Sequence, residues 1–181
     1  ADSSGNGATG SIGHLFSGTA GAIAGEIAFP GQTDSYRFTL ASDLRIAVDA
    51  LLNPPGSFSW TLTGPQGVVG QRNLNSTDSS DFYPVYDLNA GSYTLTIDAP
   101  GDQAGNYALR LLDLSAARPL TPGTDMAGTL APGSQTDAYR FTATAGQQYF
   151  FDLLSAANAD GRFRLISPLG TEVWSTGLTS D

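Results

Sequence analysis

A chain of 181 residues with eight arginines, no lysine, fifteen aspartates and two glutamates has a formal charge of −9; its surface repels nucleic acid and anionic membranes and attracts cations. It has no cysteine, which excludes a disulfide scaffold and any cysteine-based zinc or redox centre. No apolar run approaches the roughly 20 residues of a membrane helix, so insertion into a bilayer is not expected.

Residues 1–20, ADSSGNGATGSIGHLFSGTA, are rich in Gly and Ser and show no apolar period, so a flexible leader is expected there. The pattern then changes to period two. Tyr36, Phe38 and Leu40 alternate with Ser35, Arg37 and Thr39; Ile46, Val48 and Ala50 with Arg45, Ala47 and Asp49; Phe58, Trp60 and Leu62 with Ser57, Ser59 and Thr61. The same alternation returns in Tyr93, Leu95 and Ile97 and in Tyr107, Leu109 and Leu111. Strands with one wet face and one shared core follow, with Tyr36, Phe38, Ile46, Val48, Phe58, Trp60, Leu62, Leu95, Ile97, Tyr107 and Leu109 inside. In Gly64-Pro65-Gln66-Gly67 the proline presets φ and the glycine accepts a left-handed residue, which predicts a hairpin across that turn. No helical period of useful length is visible. Residues 21–114 therefore read as a complete all-β unit, an antiparallel β-sandwich of jelly-roll-like type with about seven or eight strands.

Two loops in this unit concentrate hard oxygen donors. Asn73-Leu-Asn75-Ser-Thr-Asp78-Ser-Ser-Asp81 is one, and Asp98-Ala-Pro-Gly-Asp102-Gln-Ala-Gly-Asn106 is the other. Calcium takes six to eight oxygens in flexible geometry, which makes Asp78, Asp81, Asp98 and Asp102 its candidate ligands. Neither loop matches an EF-hand, and ordinary polar turns are the competing reading. Phe82, Tyr83 and Tyr86 surround Pro84, and clean alternation puts Tyr83 or Tyr86 outward, which makes them candidates for a peptide- or sugar-binding surface.

Residues 115–123 contain two prolines and form an expected extended connector. Beyond it the chain repeats itself. Gly25 and Gly128, Gln32-Thr33-Asp34 and Gln135-Thr136-Asp137, Tyr36-Arg37-Phe38-Thr39 and Tyr139-Arg140-Phe141-Thr142, Asp49 and Asp152, and Pro65-x-Gly67 and Pro168-x-Gly170 are all 103 positions apart with no gap. Residues 124–181 read as a second, incomplete copy, without counterparts of residues 79–114. Tyr139, Phe141, Phe151 and Phe163 are then expected to lack cover, in a broken chain or in one completed by strands from another chain. Asp34 and Asp137, each just before a strand, are expected to cap a turn by accepting backbone N–H bonds, with metal ligation as the alternative.

The order of these motifs carries a family resemblance. Gly-x-Ile/Leu, then Gln-Thr-Asp-x-Tyr-x-Phe, then Leu-x-x-Pro-x-Gly, then Leu88-Asn89-Ala90-Gly91-Ser92-Tyr93-Thr94-Leu95, then Gly105-Asn106-Tyr107-x-Leu109 resembles the bacterial pre-peptidase C-terminal domain. The resemblance covers about residues 22–114 and, in part, 125–181. It implies β-sandwiches of secreted or cell-surface bacterial proteins, set beside peptidase domains or in tandem within adhesin-like chains. Some relatives bind collagen and some bind calcium.

Nothing in the sequence points to catalysis. The single histidine, His14, lies in the Gly/Ser-rich leader, and no Gly-x-Ser-x-Gly elbow, zinc spacing, Gly-x-Gly-x-x-Gly or phosphate loop occurs. Paired carboxylates for glycosidase chemistry remain possible by composition alone. The expectation is therefore a non-catalytic extracellular module that spaces, presents or binds, with calcium as the one candidate ion and no other cofactor. Its expected partners are other domains of a longer parent chain or neighbouring subunits. Two alternatives are a dedicated module for collagen-like peptide or carbohydrate, and a fibre or surface-layer subunit completed by strand donation.

Overall fold

A computed structural model describes residues 9–11, 21–52, 57–76, 85–131, 134–156 and 161–178. The first sheet contains β1 (Thr9–Ser11), β3 (Thr33–Leu40), β8 (Gly91–Asp98), β5 (Ser59–Gly64) and β6 (Gly67–Asn73), hydrogen-bonded in that order. The second contains β2 (Ala22–Ile27), β9 (Gly105–Asp113), β4 (Leu44–Leu52) and β7 (Tyr86–Leu88), again in that order. From β2 to β9 the chain changes sheet at every connection except the β5–β6 hairpin, which turns at Gly64–Gly67 with φ of 108° at Gly67. Every pair within these two sheets is antiparallel except β1, which lies parallel to β3. This is an antiparallel β-sandwich. Thr9–Ser11 thus forms a strand where the composition suggests only a leader, because β3 would otherwise be an unpaired edge.

All eleven residues expected inside are buried. Register decides how they meet: Phe38 lies opposite Tyr93 and stacks on it at 5.4 Å between ring centroids, and Leu62 lies opposite Leu95. Phe58, Trp60 and Leu62 are fully buried, and each contributes roughly 1.5–3 kcal/mol by leaving water. Helix among the described residues is confined to two three-residue turns, Leu74–Ser76 and Leu114–Ala116.

Residues 124–178 are built differently. Their described strands are β11 (Tyr139–Arg140), paired over two residues with β10 (Arg118–Pro119), and the antiparallel hairpin of β12 (Arg162–Ile166) and β13 (Glu172–Gly177). At the 103-residue offset β12 and β13 fall on β5 and β6, which pair with each other and so need no further strand. The segments that fall on β2, β3 and β4 are described but mostly lack ladder bonds. The reason lies in the sandwich topology, where β2 and β4 both pair with β9, and β3 and β5 both pair with β8. At the 103-residue offset no described residue falls on β8 or β9. Exposure follows: Phe163 is 37% exposed where Trp60 is 0%, and Phe151 is 41% exposed where Val48 is 6%. Tyr149, Phe141, Phe151 and Trp174 follow one another in a row, with centroid distances of 5.5 Å, 5.8 Å and 5.3 Å.

Candidate functional site

The Gln-Thr-Asp motif is aimed into the core. Asp34 has the same strand parity as Tyr36 and Phe38 and is fully buried. Gln32 Nε2 donates to its Oδ1 at 3.0 Å, and the Tyr107 hydroxyl donates to its Oδ2 at 2.5 Å. Since that hydroxyl gives its proton to Asp34, Tyr36 donates in turn to Tyr107 Oη at 2.6 Å. Gln32 also closes the preceding turn, accepting from Ala28 N at 2.8 Å and donating to Glu26 O at 2.9 Å. Gly25 makes room for the assembly, because a methyl group there would collide with the Tyr107 phenol. Burial, and then the hydrogen bond to the Asp34 carboxylate, push the Tyr107 phenol far above the ordinary tyrosine range. Side-chain donors, Gln32 and Tyr107, thus reach both Asp34 oxygens, and Gln32 itself holds the turn. Asp137 keeps half of this arrangement: Gln135 Nε2 donates to it at 2.7 Å, and Tyr139 Oη lies 3.4 Å away.

A second polar cluster lies on the outer face of the β2–β9–β4–β7 sheet. Asp49 on β4 is in register with Arg110 on β9, and Arg110 Nε donates to Asp49 Oδ2 at 2.5 Å. Both groups also grip Thr136: its N–H donates to Asp49 Oδ1 at 2.9 Å, and its carbonyl accepts from Arg110 Nη2 at 2.7 Å. Ser134 Oγ donates to Leu51 O at 3.0 Å. Arg45 makes a forked pair with Asp87, at 2.6 Å and 2.8 Å, and donates to Pro168 O at 2.7 Å. Asp49 thus occupies the outward position its parity predicts, yet it is fully buried under residues 134–136. Burial raises its pKa against the opposing pull of Arg110, whereas Arg45 lowers that of the more exposed Asp87.

A groove of about 460 Å3 opens between the edges of the two sheets, lined by Gly70, Gln71 and Arg72 of β6 and by Val85, Tyr86 and Asp87 at β7. Tyr86 packs edge-on against Trp60, with 5.7 Å between centroids, and its hydroxyl accepts from Arg72 Nε at 2.9 Å. The ring is therefore seated on the edge of the core, with its phenol fixed by a cation. Aromatic edge, guanidinium and carboxylate together suit a polar ligand with an apolar face.

Asp78, Asp81 and Tyr83 lie outside the described residues. Asp98 ends β8 opposite Thr33 and Ser59, and Asp102 stands exposed in the following turn. The amide of the same loop, Gln103, accepts from Ser57 N at 3.0 Å. Among the described residues no three histidine, cysteine or carboxylate groups converge as metal ligands would. The residues that sequence reading missed are Arg110, Thr136 and Arg72, because each acts through register or tertiary contact.

No protein-family model matches the chain, and no curated protein sequence matches it. Solved structures similar to it include the pre-peptidase C-terminal domain of a Bacillus anthracis collagenase, with 20% identity, a TM-score of 0.43, and coverage of 58% of this chain and 95% of that one. They also include PliG, a periplasmic inhibitor of g-type lysozyme. The Salmonella Typhimurium protein shows 18% identity and a TM-score of 0.44 over 59% of this chain and 98% of that one. The Aeromonas hydrophila protein shows 10% identity and a TM-score of 0.39 over 57% of this chain and 97% of that one.

Proposed function

We propose that the chain is a non-catalytic module of a secreted or surface protein, in which the sandwich of residues 21–114 holds the segment after it at a set orientation and so acts as a spacer. The observation that carries this reading is the clasp of Asp49 and Arg110 on the backbone of Thr136, in which one carboxylate oxygen takes its N–H and one guanidinium nitrogen its carbonyl while the other two atoms bond each other. Arg45, bonded to Pro168 O, is a second tether on the same sheet. A pair of tethers on one sheet face resists rotation about the connector better than either alone. The chain has no cysteine of its own, so spin labels can be placed without background. Labels on Thr39→Cys and Leu169→Cys, both at exposed positions, should report one narrow distance distribution. A broad distribution in the folded protein rejects the spacer role.

The groove between β6 and β7 supports a second reading, that of a ligand-binding module for peptide or carbohydrate. Array binding that disappears in Arg72→Ala with folding retained would favour it; an array without hits would reject it.

A further inference from the structure

We infer that the outer edge of β3 is a strand-accepting site, which takes an extended segment of another polypeptide parallel to itself, with β1 as its resident cover and Arg37 as its grip. The inference goes beyond the spacer and the groove readings and depends on neither.

Two short strand pairs carry it. Among the described strands only β1–β3 and β10–β11 run parallel. They fall on the same place 103 positions apart: Gly10 and Ser11 lie against Tyr36 and Arg37, and Arg118 and Pro119 lie against Tyr139 and Arg140. The docked segments, Thr9-Gly10-Ser11 and Arg118-Pro119, have no residue type in common. What recurs is the accepting edge, so recognition comes from its main chain rather than from the side chains of the segment that docks.

β10 shows the bonds. Arg118 N donates to Ala138 O at 3.0 Å and Leu120 N to Arg140 O at 2.7 Å, and Pro119 sits at the alternate position, where no donor is needed. Arg140 Nε then reaches back to Ala117 O at 3.1 Å and fixes the start of the segment. Arg37 is the counterpart of Arg140 on β3 and stands exposed. A guanidinium in that place can hold a carbonyl of an incoming strand in the same way. Arg118 also lies over the Tyr139 ring, 5.1 Å from its centroid, whereas Tyr36 is buried with its hydroxyl on Tyr107. An arginine in the docked segment is therefore not a requirement at β3.

The cover on β3 is slight. Thr9–Ser11 takes up three residues of the eight in β3. It holds its place because only residues 12–21 separate it from β2, which keeps its local concentration high. A longer segment makes more main-chain bonds along Thr33–Leu40 and displaces it.

The test uses the full chain and a labelled synthetic peptide of residues 115–123, the connector that this chain already holds as a parallel strand. Saturable binding is expected by fluorescence anisotropy. Gly10→Pro with Ser11→Pro removes a ladder bond from β1, because alternate residues of a strand bond one neighbour, and should tighten binding at least about tenfold. Arg37→Ala should weaken binding about fivefold, in the parent as well as in the proline variant, so the result does not rest on the prolines alone. A peptide N-methylated at Arg118 and Leu120 should not bind, since it lacks the two N–H groups that make the ladder. No saturable binding, equal binding of the methylated peptide, or an affinity that the prolines leave unchanged overturns the strand-accepting edge. So does loss with Arg140→Ala instead of Arg37→Ala, which would put the peptide on β11, and so does loss with Arg72→Ala, which would put it in the groove. None of these outcomes bears on the label distances that test the spacer role.

Discussion

Asp49 and Arg110 face each other across β4 and β9 at 2.5 Å, and both reach beyond the sheet to the same residue, Thr136. A carboxylate with no exposure, held by an arginine that is itself 8% exposed, has that arginine as its charged partner and the Thr136 N–H as a second donor. Arg110→Leu leaves the Asp49 charge buried and should destabilise the protein by about 3 kcal/mol, while adding Asp49→Leu should recover much of the loss. Urea denaturation of the single and double variants measures this. A double variant as unstable as the single would show that packing, not charge, dominates.

The two carboxylates that arginines hold on this sheet should titrate with opposite effects on stability. Burial raises the Asp49 pKa from 3.8, so between that value and the folded one the native state keeps a proton that the unfolded chain has lost. Stability from this group is full below 3.8 and declines as pH rises through the folded value. Asp87 is lowered by Arg45, so its contribution is present above 3.8 and declines as pH falls through the folded value. Exposure keeps the Asp87 effect small. Relative to the parent, Asp49→Asn should gain stability as pH rises across the acid range, and Asp87→Asn should lose it. Denaturation midpoints from acid to neutral pH decide the matter, and parallel curves would contradict both shifts.

Much of the core was legible because period two alone places Tyr36, Phe38, Trp60, Leu95 and Leu109 inside, and all are buried. The same parity puts Asp34 inside, but no single-sequence pattern reveals that Tyr107, 73 residues away, supplies one of its donors. Asp49 shows the reverse limit. Its outward position follows from alternation, but its burial arises when residues 134–136 fold over the sheet. Arg110 became visible only once the β4–β9 register placed it opposite Asp49. Tyr86 lies on the groove wall but is pinned by Arg72, a contact that depends on two sheet edges meeting.

Alkaline stability should depend on Tyr107. Its phenol is raised by burial first and by the Asp34 carboxylate next, so the folded state holds the proton well beyond the point, about pH 10, where the unfolded tyrosine loses it. The contribution is full below pH ~10 and declines as pH rises above it. Tyr107→Phe removes this dependence and leaves Asp34 short of a donor. The variant should be about 1–3 kcal/mol less stable at neutral pH and less sensitive to alkali than the parent. Tyrosinate absorbance during an alkaline titration should show fewer late-ionising groups in the variant, and an unchanged profile would refute the network.

Gly25 and Gly128, 103 positions apart, should respond differently to the same change. In Gly25→Ala the new methyl group meets the Tyr107 ring and hydroxyl and comes within 3.0 Å of Tyr36 Oη, inside a core with no slack. Overpacking of this kind costs about 1–3 kcal/mol, and the Tyr107–Asp34 bond would lengthen as the ring retreats. In Gly128→Ala the nearest atom is the hydroxyl of half-buried Tyr139 at 3.2 Å, which has to give by only a few tenths of an ångström on its long bonds to Arg118 and Asp137, so stability should change by less than about 0.5 kcal/mol. Denaturant midpoints of the two single variants measure the contrast. Equal losses would mean that Gly128 is enclosed as tightly as Gly25.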